Sequence, residues 1–153
     1  MPIPDFTEYG LLPDGEYPAT RDEISDRYLN NPNRAEIWLL FESFLMELQQ
    51  QAWYQNINTL WLDGGFTSDK PSTKDIDVII DISRLSDSNI LDAIVWLDTE
   101  HNRLQAEFRV DAYPYHPKIT SNFRSFFAYV KTDECLQRNA PTETRKGLLI
   151  FTP

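Results

Sequence analysis

Residues 60–78 read LWLDGGFTSDKPSTKDIDV, and this stretch decides the expected fold. The apolar residues before its two glycines predict a buried strand over 58–63, and the β-branched residues around its acid pair predict a second strand over 75–82. A glycine pair at a strand end lets the backbone approach a phosphate closely and offers amide donors to it. The stretch therefore predicts two strands joined by a loop that suits an anion.

The acid pair in this stretch carries the clearest chemical signal. Successive side chains of a strand alternate between faces, so Asp75 and Asp77 point the same way with Cα atoms about 6.6 Å apart. Two carboxylates on one face repel each other unless a cation joins them. Oxygen ligands at this spacing suit Mg²⁺, which favours carboxylates together with substrate phosphates. The pair therefore predicts a divalent-metal site, and a solvated strand edge is the other interpretation in so acidic a chain.

A third acid completes the expected metal site. Asp111 lies in the sequence FRVDA at 108–112, the next strand-like segment with apolar neighbours, although it can equally cap a turn or pair with Arg109. Metal ions held by three such acids polarise an α-phosphate, activate an attacking hydroxyl and neutralise departing pyrophosphate. The set Asp75, Asp77 and Asp111 therefore indicates nucleotidyl transfer, with Mg²⁺ or Mn²⁺ as cofactor and an NTP as substrate.

The segments before this stretch predict an arm and two helices. Residues 1–18 hold four prolines and a Pro-Asp-Gly turn signal, which indicates an extended arm packed on the body. Thr20 and Glu23 match a capping box, so a short helix should follow. Apolar residues at helical spacing predict a longer helix that is capped by Asn33.

The segments after residue 78 are predicted to alternate between helix and strand. Serines within 86–88 offer caps for a helix that ends near Asn102, strands are expected over 107–113 and 147–151, and 122–130 is ambiguous. This order predicts an α/β (α+β) fold, a mixed sheet flanked by helices. We expect a single domain that consists of the extended arm at 1–18, helices at 19–54, a catalytic core at 58–115 and C-terminal elements at 116–153.

Length, cysteine content and hydropathy narrow the class of protein. The 153 residues are 41% hydrophobic and 25% charged, which is typical of one globular domain with a sizeable core. The lone Cys135 excludes an intramolecular disulfide framework. No apolar stretch approaches the ~20 residues that cross a bilayer, and the start lacks the basic and apolar regions of a signal peptide. We therefore expect a cytoplasmic protein with no membrane partner.

The charge distribution argues against duplex DNA as a partner. The first hundred residues hold 19 acids and 6 bases, and the remaining residues hold 5 acids and 8 bases. Tight binding to a nucleic-acid backbone needs lysines and arginines that replace condensed counterions. A nucleotide bound with its metal is still favoured, because carboxylates attract the metal and the metal carries the phosphates.

The motifs resemble those of a known superfamily. Gly64-Gly65, a nine-residue spacer, the acid pair in the strand at 75–78 and a later Val110-Asp111 resemble the nucleotidyltransferase superfamily with a DNA polymerase β-like core. The wider chain is similar to a bacterial and phage family of nucleotidyltransferase-like proteins. The segments that carry this wider similarity are 3–6, 10–13, 66–70 and 146–150. The resemblance implies a nucleotidyltransferase-like fold for most of the chain.

Carried over residue by residue, the resemblance implies metal binding by Asp75, Asp77 and Asp111 and phosphate contact by Gly64 and Gly65. The superfamily motif more often has serine in place of the second glycine. The hydroxyl that would hold a phosphate is therefore absent from position 65.

Residues after the glycine pair can supply the missing contacts. Thr67 or Ser68 can replace the serine hydroxyl, and Lys70 can meet a phosphate as a point charge, although loop lysines are mostly solvated. Tyr113 and Tyr115 can stack on a base beside the acids or cover the core. We interpret both histidines of the chain as residues without a part in the site.

Two functions from different classes follow. The leading hypothesis is a Mg²⁺-dependent nucleotidyltransferase that moves NMP, expected to be AMP, from an NTP to a hydroxyl. Resemblance to minimal nucleotidyltransferase antitoxins implies a protein acceptor, either a toxin or a host or phage factor met in phage defence. The alternative is a catalytically silent protein of the same fold that sequesters a protein partner or senses a nucleotide, and the glycine at position 65 argues for it.

Overall fold

The protein is built around a five-stranded mixed sheet, seen in a computed structural model that describes residues 2–119 and 121–153. The strands are β1 (Glu16–Pro18), β2 (Leu60–Asp63), β3 (Ile76–Asp81), β4 (Val110–Tyr115) and β5 (Leu148–Phe151). The α-helices are α1 (Arg21–Tyr28), α2 (Pro32–Leu48), α3 (Asp87–Phe108), α4 (Phe123–Ala128) and α5 (Thr132–Gln137), and short 3-10 turns lie at Tyr54–Asn56 and Gly65–Thr67. The strand order is β1-β5-β2-β3-β4. This single domain confirms the expected α/β class.

The middle of the sheet places the two expected core strands side by side. β2 and β3 are antiparallel and are joined by the loop that contains the glycine pair. β3 and β4 are parallel, because α3 crosses over between them. The end of β2 therefore meets the beginnings of β3 and β4 at one edge of the sheet.

The two faces of the sheet have different coverings. One face packs under α1, α2 and α3 in the main core. The strand residues of this core are Leu60, Leu62, Ile76, Val78, Ile80, Val110, Ala112, Leu149 and Phe151. On the other face, Trp61, Ile79 and Leu148 form a smaller cluster with Phe123 and Phe127 of α4. Because strand side chains alternate, the aspartates of the central strands lie on the α4 face.

The N-terminal arm packs against the body, as its apolar residues predicted. Ile3, Leu11 and Leu12 are buried. The end of the arm also forms β1, which pairs in parallel with β5. The sequence did not indicate this strand, since a three-residue segment with a proline carries almost no strand periodicity.

The predicted N-terminal cap is correct for α1 and wrong for α2. In α1, the Glu23 amide donates to Thr20 Oγ1 at 3.2 Å and the Thr20 amide donates to Glu23 Oε2 at 2.8 Å, so the capping box is confirmed. The expected cap of α2 at Asn33 is wrong. Asn31 caps that helix and accepts from the Arg34 amide at 3.0 Å, while a proline takes the first helical position, where no N–H is needed.

The end of α3 differs from its expected position. The helix continues to Phe108 and β4 begins at Val110, so the strand expected from residue 107 begins later. Arg109 ends the helix in the left-handed conformation, with φ 53°. That conformation is uncommon for residues other than glycine, so the sequence carried no terminating signal here.

The ambiguous segment 122–130 contains α4. Asn122 caps this helix, since its Oδ1 accepts from the Ser125 amide at 3.1 Å. Within residues 2–119 and 121–153, no helix combines the length and apolar content that a membrane crossing needs.

Candidate functional site

Three aspartates form a row across neighbouring strands. Asp63 ends β2 and pairs with Asp77 of β3, and Asp77 pairs with Asp111 of β4. Paired positions on adjacent strands carry their side chains on the same face. Asp75 comes two residues before Asp77 and shares that face. The topology therefore gathers four carboxylates at one edge of the sheet.

Three of these acids can share a metal ion. Asp75, Asp77 and Asp111 each offer one carboxylate oxygen, and these oxygens lie within 4.8 Å of one another. Mg²⁺ and Mn²⁺ prefer carboxylate oxygens, so the donor set fits the expected cofactor. Gln105 Nε2 donates to Asp75 Oδ2 at 3.1 Å, which orients one of the acids.

Burial and mutual repulsion change the protonation of the row. Burial, reinforced by Asp63, Asp75 and Asp111, raises the pKa of Asp77 to about 7. Burial and Asp75 also raise the pKa of Asp111, whereas His101 lowers it. His101 Nε2 lies 3.8 Å from Asp111 Oδ1. A divalent cation would relieve this repulsion and displace the proton that Asp77 holds near neutral pH.

A lysine compensates the most buried acid. Asp63 is 0% exposed, and Lys146 Nζ lies 3.1 Å from its Oδ1. Burial raises the pKa of Asp63, while Lys146 lowers it. The pair places a cation next to the acid row.

The two glycines meet different constraints. Gly64 has φ 89°, and a Cβ at this position would lie 2.7 Å from Asp77 Oδ2, so a side chain is strained and crowded here. Gly65 has no positive φ. A Cβ on Gly65 would lie 3.1 Å from Thr73 Oγ1 and 3.2 Å from Lys70 Cδ, which is tight but involves side-chain atoms and not the backbone. Glycine is therefore required at position 64 but not at position 65.

The hydroxyl groups after the glycine pair are used within the loop. Ser68 Oγ donates to the Gly65 carbonyl at 2.8 Å, and Thr67 Oγ1 donates to the Gly64 carbonyl at 3.2 Å. Both side chains belong to buried residues. These bonds stabilise the turn that follows β2.

A buried arginine holds this loop in place. Arg34 of α2 is 3% exposed, and its guanidinium donates to main-chain carbonyls. The acceptors are Gly65 at 3.3 Å, Phe66, Ser68 at 2.9 Å and Lys70 at 2.6 and 3.2 Å. Since a guanidinium carries five donors in a fixed plane, this one side chain sets the path of the loop.

Two asparagines of the α2 start hold the next part of the loop. Asn31 Nδ2 donates to the Pro71 carbonyl at 2.8 Å. The Asn33 side chain donates to the Thr73 carbonyl at 3.1 Å and accepts from the Thr73 amide at 2.8 Å. The loop that leads to the acid pair is thus fastened to α2 by side-chain hydrogen bonds.

One cavity joins the acids to the glycine pair. Its volume is about 580 Å³, within the range of small-molecule sites. Lys70, Lys131 and Lys146 also line it. The rest of the lining includes four aromatic rings, together with Leu11, Val130 and Glu134. The rings are Tyr113, Phe126, Phe127 and Tyr129. The cavity therefore combines carboxylates, cations and rings in one space.

The structure brings together most of the residues that the sequence singled out. Of the residues that the sequence singled out, those that line the cavity are Asp75, Asp77, Asp111, Gly64, Gly65, Ser68, Lys70 and Tyr113. Thr67 lies outside this lining, because its side chain turns back to the loop. Tyr115 packs on Trp61, with ring centroids 5.4 Å apart, and is not beside the acids.

Sequence reasoning missed four residues of the site. Asp63 carried a usable signal, since it is an acid inside a buried strand. His101 was interpreted as having no part, yet it lies against Asp111. Arg34 and Lys146 reach the site from distant segments and carry no local pattern. Arg34 and Lys146 were missed because their partners are far away in the chain.

Comparison with known proteins adds a family. The searches of curated proteins and of solved structures found no match to this chain. A family model described as a family of unknown function (DUF6932) matches residues 4–151. Because the match spans nearly all of its residues, the chain belongs to the DUF6932 family of unknown function.

Proposed function

We propose that this protein is a metal-dependent nucleotidyltransferase that moves an NMP group from an NTP, with ATP as the first candidate, to a hydroxyl. The observation that carries the proposal is the placement of Asp75, Asp77 and Asp111 beside the Gly64-Gly65 turn in one cavity. Carboxylates of this number bind Mg²⁺ together with phosphates, and a glycine turn lets phosphates approach the backbone.

Five of the residues that line the cavity have a part in the proposed reaction. Mg²⁺ or Mn²⁺ on Asp75, Asp77 and Asp111 would supply polarisation of the α-phosphate, activation of a hydroxyl and neutralisation of pyrophosphate. Lys131 and Lys70 line the cavity and add positive charge near the phosphates. Lys70 Nζ lies 3.1 Å from Glu134 Oε2, so part of the Lys70 charge is already compensated. Asp77, whose pKa is raised to about 7, gives up its proton on metal binding.

Transfer of label from α-labelled ATP to candidate acceptors tests the proposal. The acceptors include the product of a neighbouring gene, because a protein hydroxyl is the expected target. Asp77→Asn should lower transfer about 100-fold, the scale of losing one group that stabilises transition-state charge. Asp98→Asn, at an exposed position of α3, is the matched control and should keep full transfer. Equal transfer by wild type and Asp77→Asn would overturn the metal assignment.

A specific observation favours a second function, that of a catalytically silent protein that holds a nucleotide or a protein partner. Position 65 has no hydroxyl, and the Thr67 and Ser68 hydroxyls already donate to loop carbonyls. Calorimetry with ATP in Mg²⁺ or Mn²⁺ separates the functions. Binding without transfer to any acceptor indicates a nucleotide sensor, whereas no binding indicates a protein-binding function.

A further inference from the structure

We propose that the aromatic wall of the cavity, formed by Tyr113, Phe126, Phe127 and Tyr129, binds the nucleobase of the nucleotide by stacking. This inference rests on the proposed function, since it places the base of the same nucleotide whose phosphates meet the acids. It assigns recognition of the base to Tyr113 of β4 together with α4 and the segment after it, and α4 and that segment lie outside the strands that carry the acids.

The rings of the wall support one another. The ring centroids of Tyr113 and Phe127 are 5.3 Å apart, and Phe126 meets Phe127 edge to face at 5.2 Å. Phe123 also packs against Tyr113, with centroids 4.7 Å apart. Aromatic pairs at these distances attract each other and hold their rings in place. The wall is therefore formed before any ligand binds.

Two rings of the wall are unusually exposed for their size. Phe126 is 61% exposed and Tyr129 is 45% exposed, and both line the cavity. Phe123 and Phe127, one helical turn apart, take the side of α4 that packs on the sheet, which leaves Phe126 on another side. Arg145 holds Tyr129, with its Nη1 3.2 Å from the hydroxyl and its guanidinium 4.9 Å from the ring centroid. An exposed ring with a fixed position offers a free face for stacking.

The position of the wall relative to the acids indicates which ligand fits. Tyr113 follows Asp111 by two residues on β4, so its ring begins about 7 Å further along the same face. Lys131 and Lys146 line the same cavity as the carboxylates and the rings. A ligand that matches the whole cavity carries a polyphosphate for the metal and lysines and a flat ring for the wall. A nucleoside triphosphate has both parts.

Stacking also predicts the selectivity of the site. Every nucleobase has a π face, so a wall of this kind tolerates different bases. We therefore expect purine and pyrimidine triphosphates to bind, with purines favoured by their larger stacked area.

Calorimetry on the full chain in Mn²⁺, with ATP and inorganic tripolyphosphate as ligands, tests the wall. Wild type should bind ATP about 10-fold or more tightly than tripolyphosphate, the ratio expected for one stacked base. Phe126→Ala should remove most of this ratio and leave the tripolyphosphate affinity within about twofold, because the phosphate end is untouched. Unchanged tripolyphosphate binding also shows that the variant is folded.

Further variants separate stacking from apolar contact. Phe126→Leu keeps the apolar bulk without a π face and should behave like Phe126→Ala, while Phe126→Trp should keep the preference for ATP. Leu136→Ala, at a residue of α5 that is 68% exposed, is the matched control and should bind both ligands like wild type.

The outcomes distinguish the wall from the proposed function. Equal affinity of wild type for ATP and tripolyphosphate, or an unchanged ratio in Phe126→Ala, overturns the wall. The proposed function survives that result if tripolyphosphate binding depends on Mn²⁺ and is lost in Asp77→Asn. Failure of wild type to bind either ligand overturns both. If the wall instead binds a segment of a protein partner, wild type shows no preference for ATP over tripolyphosphate. That result counts against the proposal.

Discussion

Lys146 Nζ lies 3.1 Å from Oδ1 of Asp63, whose side chain has no exposed surface. Asp63 ends β2, whereas Lys146 comes from the segment before β5. Removal of one partner from a buried ion pair leaves an uncompensated charge, which costs more than the pair itself contributes. Asp63, the most buried member of the acid row, is therefore held in position by a lysine from the far end of the chain.

Lys146→Met should lower the free energy of unfolding by about 3–5 kcal/mol near pH 8. The loss should be smaller near pH 5, since burial raises the pKa of Asp63 and the loss of Lys146 lets Asp63 take up a proton. Urea unfolding at both pH values measures this difference. Lys131→Met, at an exposed lysine of the same cavity, is the control. Equal stability of the two variants would contradict a structural role for the pair.

The raised pKa of Asp77 predicts that the metal-free protein loses stability as the pH rises. The ordinary pKa of this group is 3.8, and the folded chain raises it to about 7. Between these values the folded state binds more protons than the unfolded state, so the free energy of unfolding falls with rising pH, by at most about 4 kcal/mol.

Denaturant unfolding between about pH 4 and pH 8 checks this slope. Asp77→Asn should flatten the decrease in the free energy of unfolding with pH. Mg²⁺ should raise stability more at pH 7.5 than at pH 5, because the metal competes with the proton. Stability that rises throughout this interval in the metal-free protein would contradict the assignment.

Arg34 should be the residue of α2 on which the glycine loop depends most. Arg34→Met leaves several buried carbonyls without donors, so it should lower the free energy of unfolding by about 2–5 kcal/mol. Arg34→Lys should recover only part of the lost free energy of unfolding, since an ammonium cannot reproduce the planar arrangement of guanidinium donors. Arg21→Met, which removes an exposed pair with Glu42, should cost no more than about 1 kcal/mol. Similar urea midpoints for Arg34→Met and Arg21→Met would refute the role of Arg34.

The two glycines should respond differently to substitution. Gly64→Ala combines a φ of 89° with a Cβ 2.7 Å from Asp77 Oδ2, so it should destabilise the protein by about 1–3 kcal/mol and weaken Mn²⁺ binding. Gly65→Ser needs only small shifts of Thr73 and Lys70 and adds a hydroxyl. It should fold like wild type and bind tripolyphosphate more tightly. Thermal melting and calorimetry measure both effects, and a fully stable Gly64→Ala would show that the crowding at Asp77 is relieved.

Helix caps show where local sequence was informative and where it was not. Thr20 and Glu23 lie three residues apart and satisfy each other, so their capping box could be predicted. For α2 the predicted cap is Asn33, although Pro32 directly after Asn31 is a local signal for a helix start at that position. The Asn33 side chain is instead used by the loop, because Thr73 engages both of its polar groups.

The sequence by itself determined that Asp75 and Asp77 share a face and that a glycine turn precedes them, because strand alternation and glycine conformations act over a few residues. Only the tertiary structure decided that Asp111 pairs with Asp77, that Lys146 meets Asp63, that Arg34 holds the loop and that α4 places rings beside the acids. These contacts depend on strand register and on the packing of distant segments. Neither strand register nor the packing of distant segments produces a periodic pattern in the sequence. These partners could therefore be identified only from the folded structure.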